Sequence, residues 1–156
     1  MTQIALVPII LAAVVTVLLS TLWYHPRFLG GPWMRLSGIT PEQTERGKKH
    51  LWFFTIVAFL ASMLVAYVMD YFGIIWGVTN WLSAAELGFL CWAGFAAPPM
   101  LGMVLWEQKP FRLYAIVSLY WLASFILIAL VLLYTSALFV PNSSDPSGAS
   151  AYPANQ

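Results

Sequence analysis

Trp23-Tyr24-His25-Pro26-Arg27-Phe28-Leu29-Gly30-Gly31-Pro32-Trp33 is where a long uncharged apolar run stops and the first Lys or Arg of the chain appears. Backwards from this boundary, residues 4–24 carry no charged side chain. At about 1.5 Å rise per residue, a helix of that length covers roughly 30 Å, the hydrocarbon thickness of a bilayer. A cleaved signal peptide is not expected, because nothing basic precedes the run and no A-x-A exit follows it. Ala12, Thr16 and Ser20 recur every fourth residue and offer one narrow face for a neighbouring helix.

Composition agrees with this reading. With 61% hydrophobic and 8% charged residues and a mean hydropathy of +0.80, the chain has too little polar material for a water-soluble surface. Its 156 residues allow one helical bundle and no separate soluble domain. A net charge of +1 gives no basic stripe for nucleic acid. The single cysteine, Cys91, has no partner for a disulfide or a thiolate metal site and reads as a small core residue.

Forwards from the boundary, residues 25–50 are polar and hold five of the seven basic residues: Arg27, Arg35, Arg46, Lys48 and Lys49. Thr40-Pro41-Glu42-Gln43 predicts a short helix, with an N-cap hydroxyl, a proline at the first position and a capping-box partner three residues on. Gly47 is expected to end it. Residues 51–69 form a second uncharged run, with Asp70 at its exit. The link to the third run has no Lys or Arg, and its Trp76 and Trp81 read as interfacial anchors.

The third run, 84–106, begins at Ser83-Ala84-Ala85-Glu86, a capping box that gives Glu86 a structural role. At its middle Ala97-Pro98-Pro99 removes two amide donors and predicts a kinked third helix. Gly94, Phe95, Pro98 and Pro99 form a candidate helix-break site, since broken helices line substrate sites in some transporters. The plainer reading is a packing groove between Gly94 and Gly102. The fourth run, 113–140, follows the turn Glu107-Gln108-Lys109-Pro110-Phe111-Arg112, and a Ser- and Pro-rich tail, 141–156, is expected to be disordered. Asn142-Ser143-Ser144 fits a glycosylation triplet that arises often by chance.

All seven Lys and Arg lie in the first and third loops, so the positive-inside rule places those loops in the cytoplasm and both termini outside it. The fold expected is all-α, a four-helix membrane bundle. Trp23, Trp33, Trp52 and Trp106 would mark its inner border. His25, Arg27, His50, Glu107, Lys109 and Arg112 would share that depth, as an ion-pair lock between loops or a site for anionic lipid headgroups. No triad, phosphate loop or paired carboxylates are spaced for catalysis, and His25 with His50 has no third ligand. The chain is therefore expected to be no enzyme and to carry no cofactor or metal. Trp23-x-x-Pro26-Arg27-Phe28-Leu29 also loosely repeats in Trp106-x-x-x-Pro110-Phe111-Arg112-Leu113, as border-favoured residues do by chance.

Trp23-Tyr24-x-Pro26-x-x-Leu29-Gly30-x-x-Trp33, with Gly94-Phe95 and Glu107-x-Lys109-Pro110, resembles the family known as domain of unknown function 1761. The likeness covers nearly the whole chain apart from the tail, although the family's Phe-Gly step stands here as Phe28-Leu29-Gly30. It implies a four-span protein of the bacterial inner (plasma) membrane and no catalytic residue. The function expected is a structural or accessory protein packing with itself or a larger membrane complex. The alternative is a small-molecule or lipid transporter or pore using the broken third helix. Membrane lipids, a homo-oligomer or a larger membrane complex are the partners expected, and nucleic acid is not.

Overall fold

A computed structural model describes residues 6–139. The expected tail and its Asn142 triplet lie outside them. Eight α-helical segments follow in order: α1 Leu6–Trp23, α2 Gly31–Ser37, α3 Pro41–Lys49, α4 Leu51–Trp76, α5 Trp81–Cys91, α6 Ala97–Met100, α7 Gly102–Leu105 and α8 Phe111–Phe139. Among the described residues, four helices are long and apolar enough to cross a membrane: Leu6–Trp23, Leu51–Trp76, Trp81–Leu105 and Phe111–Ser136. The architecture is all-α, as the uncharged runs predict.

Among the long helices, two boundaries differ from the sequence reading by more than two residues, each for a local hydrogen-bonding reason. α4 does not stop at Asp70. It continues to Trp76, where Gly77 takes a left-handed φ of 67° and its N–H returns to the carbonyls of Gly73 and Ile74. Asp70 therefore sits inside a long apolar helix, so that helix is not charge-free. The third long helix begins at Trp81, not Ala84, because Asn80 makes the better cap. Asn80 Oδ1 accepts from the amides of Leu82 and Ser83 at 3.0 Å each, and Ser83 Oγ accepts from the Asn80 amide. Glu86 is left exposed in the second turn, outside any capping box. The Thr40 box does form, with Gln43 as its partner. Gly47 does not end α3, which runs on to Lys49.

α8 is the hub of the bundle. It packs against α1 and α5 and less extensively against α4, while α1 also packs on α4. In lipid, whose tails are as apolar as Leu, helices are held together by close van der Waals fit rather than by the hydrophobic effect. Small residues provide that fit. Ala12 and Ala13 of α1, Ala66 of α4, Ala84 of α5 and Ala129 of α8 are all buried. Thr16 shares the buried face of α1 and returns its hydroxyl to Ala12 O at 2.8 Å, so it leaves no open donor. Gly88 marks a close approach of α5 to α8: a Cβ there would lie 2.7 Å from Ile126 Cα. The core cluster gathers Ile9, Ala66, Met69, Leu87, Cys91, Ile128 and Leu132. By helix direction, these residues lie toward the end of the bundle away from the Lys and Arg side chains.

Candidate functional site

The basic end is held by an aromatic corner. After α1 the chain turns at Pro26, whose missing amide is needed by no bond there. His25 Nδ1 accepts from the Arg27 amide, and His25 O accepts from Phe28 and Gly30. Gly30 is buried so tightly that a Cβ would sit 2.0 Å from Tyr24 O. No other residue fits. The turn sets Tyr24 edge-on to Trp33 (5.1 Å between centroids) and tilted against Tyr120 of α8 (5.2 Å), and Trp23 edge-on to Phe28 (5.9 Å). Trp23 Nε1 donates to Ile116 O of α8 at 3.2 Å. The motif residues Trp23, Tyr24, Pro26, Gly30 and Trp33 thus act together. They fold α2 back onto the start of α8.

That docking creates a groove of about 570 Å³ lined by Pro32, Arg35 and Leu36 of α2 and by Arg112, Ala115 and Ile116 of α8. Each triplet follows the spacing i, i+3, i+4, which places its members on one face of a helix. Lys109 is half-buried and its Nζ donates to Ser37 O at 3.5 Å, tying the third loop to the end of α2. Arg35 was absent from the predicted border cluster, although the spacing of Pro32, Arg35 and Leu36 could have flagged it.

The rest of that predicted cluster does not assemble. His25, Arg27, His50, Glu107 and Arg112 are exposed. Among the described residues the one ion pair is Lys48–Glu45, on the surface of α3. The expected lock between loops is therefore a single hydrogen bond from Lys109. The two loosely similar turns also differ, since Trp23 is packed against α8 whereas Trp106 is 83% exposed.

In the third long helix, regular α winding gives way to a wider π-type turn over Trp92–Ala96, just before the prolines. The Ala97 amide donates to Trp92 O, and Pro98 and Pro99 have no amide hydrogen to give. The carbonyl of Gly94 is thereby left without a donor from its own helix. Gly94, Phe95, Pro98 and Pro99 are all exposed, Phe95 to 70%. A Cβ at Gly94 would meet nothing within 4 Å. Of the groove expected between Gly94 and Gly102, the Gly94 end is not filled by the described residues and the Gly102 end faces Trp106 Cδ1 at 3.6 Å, while the side toward α8 is taken by Trp92. Its Nε1 donates to Ser118 O at 2.9 Å and lies 3.2 Å from Ser118 Oγ.

At the opposite end, α4, α5 and α8 leave a cleft of about 400 Å³ lined by Asp70, Thr79 and Ser136 among apolar residues. Below it an apolar crevice of about 270 Å³ reaches Phe95, Phe125 and Cys91. Asp70, half-buried, is a second site candidate that sequence reasoning missed, because it was read as the end of its helix.

A family model described as "Protein of unknown function (DUF1761)" matches residues 7–133, most of the chain. No curated protein and no solved structure matches.

Proposed function

The chain belongs to the DUF1761 family of proteins of unknown function, and from that premise we propose a non-catalytic accessory protein of the plasma membrane that packs with itself or with a larger membrane complex. One observation carries the reading: the exposed face at Gly94, Phe95, Pro98 and Pro99, halfway along the third long helix, with a carbonyl that has no donor in its own helix. In hydrocarbon such a group must find a donor elsewhere. A neighbouring helix with a Ser, Thr or amide side chain would supply one, and the missing Cβ of Gly94 lets it approach closely. The grouping of Lys and Arg at one end supports a cytoplasmic position for that end, with both termini on the other side.

The test is to place a photo-reactive residue at Phe95 and irradiate intact cells. The reading expects a crosslink to a second copy or to one membrane protein, matched by a complex after gentle extraction. Crosslinks to lipid alone, with a monomer after extraction, would refute it. A reporter active only in the cytosol, fused after Gln156, is expected to stay dark.

A transporter of small molecules or lipids is the second reading, favoured by the apolar crevice that Phe95 of the π-type turn lines. It expects Pro98→Ala with Pro99→Ala to keep expression and lose a measurable flux.

A further inference from the structure

We propose that the groove between α2 and α8 binds the phosphate of an anionic phospholipid headgroup, held between the guanidinium groups of Arg35 and Arg112. The assignment is independent of what docks on the third long helix. Arg35 stands on α2 and Arg112 on α8, both exposed, and they line one groove because the aromatic corner folds α2 onto α8. No acidic side chain lines the groove, and neither arginine forms an ion pair among the described residues. Two like charges lining one groove with no carboxylate among them repel, so an anion between them relieves a cost that the fold itself imposes. Guanidinium forks match phosphate oxygens in pairs, which suits Arg better than Lys here.

The remaining walls argue for a lipid over a free anion. Pro32, Leu36, Ala115 and Ile116 are apolar. They would cover the glycerol and the first carbons of the acyl chains. Arg112 is the second residue of α8, where the fourth apolar run begins, and this is the depth at which lipid phosphates meet a spanning helix. The volume of about 570 Å³ is within the range of ordinary ligand sites.

The experiment uses the full chain purified in a neutral detergent, with native mass spectrometry of retained dioleoyl phosphatidylglycerol against dioleoyl phosphatidylcholine. One phosphatidylglycerol is expected to stay bound in preference. Arg35→Gln with Arg112→Gln is expected to weaken retention about a hundredfold, at about tenfold for each charge-assisted pair. Arg46→Gln with Lys48→Gln removes the same charge from α3 and is expected to change retention by less than about threefold. Arg35→Lys with Arg112→Lys keeps every loop charge, and so membrane insertion, while losing the paired geometry. It is expected to cost about tenfold. Equal losses in the groove and α3 variants, no preference for phosphatidylglycerol, or full retention by the Lys variant would each overturn the site. Inorganic phosphate displacing the lipid at equal concentration would overturn the lipid assignment in favour of a free anion.

Discussion

Gly30→Ala is the sharpest test of the aromatic corner. The added methyl would sit 2.0 Å from Tyr24 O, 2.6 Å from Tyr24 C and 2.9 Å from His25 C, all backbone atoms that cannot swing aside. Relief needs a shift of about 1 Å, because non-bonded carbon and oxygen rarely come within about 3 Å. That shift breaks the Gly30 N–H to His25 O bond of 3.1 Å, at about 1 kcal/mol. It also pulls Trp33 off Tyr24, now 5.1 Å apart, at about 1 kcal/mol for an edge-on aromatic pair. Residual overpacking adds on the order of 1 kcal/mol. A total near 3 kcal/mol is expected, read as a lower midpoint in SDS unfolding followed by circular dichroism. Gly47→Ala is the control. Nothing lies within 4 Å of its Cβ and it is inside α3, so helix propensity favours Ala there by about 1 kcal/mol. A Gly30→Ala protein as stable as Gly47→Ala would refute the close approach and, with it, the corner's role in placing α2.

Three further outcomes follow from the same geometry. Gly88→Ala places a methyl 2.7 Å from Ile126 Cα, so α5 and α8 must separate, and a loss of about 1–3 kcal/mol in SDS unfolding is expected. Asp70→Asn is expected to stabilise the fold by on the order of 1 kcal/mol, read as a higher SDS midpoint, because a half-buried carboxylate without an ion pair among the described residues becomes neutral; a lower midpoint would refute this. The Glu42 carboxyl is held below its ordinary value of 4.5, first by its own backbone amide and then by the Thr40 hydroxyl. A depressed acid stabilises the folded form above its ordinary pKa and loses that effect as pH falls through the lowered one. Amide protection in α3, corrected for intrinsic exchange, should therefore fall on acidification below pH 4.5 in the native protein and not in Glu42→Gln.

The long helices were legible because absence of charge is a strong signal in an apolar chain, and the Thr40 box because its three residues are all local. The ends of the second and third helices were not read correctly, for two reasons. A charge such as Asp70 reports where solvation is favourable, whereas a helix ends where its hydrogen bonds close, and Gly77 with its left-handed φ does the closing. Two overlapping cap patterns, Asn80 with Ser83 and Ser83 with Glu86, stand side by side in the sequence. Choosing between them depends on backbone geometry: the Asn80 amide oxygen serves two N–H groups at once. The groove was illegible for a further reason. Its two arginines are brought together by tertiary docking, and only the repeated i, i+3, i+4 spacing on each helix hinted at it.

The motif from Trp23 to Trp33 therefore works through packing. Trp23, Tyr24, Gly30 and Trp33 are each explained by a contact that fixes α2 against α8. If the groove is what that docking serves, the two kinds of damage separate. Gly30→Ala touches neither arginine, yet it should lower both stability and phosphatidylglycerol retention, because the walls of the groove move apart. Arg35→Gln with Arg112→Gln should lower retention and leave SDS unfolding of lipid-free protein unchanged or slightly improved, since two like charges no longer face one groove. Combining them should then cost little more retention than the arginine changes alone, the non-additive pattern of residues acting on one structure. Independent, additive losses would mean that the corner and the arginines serve different ends.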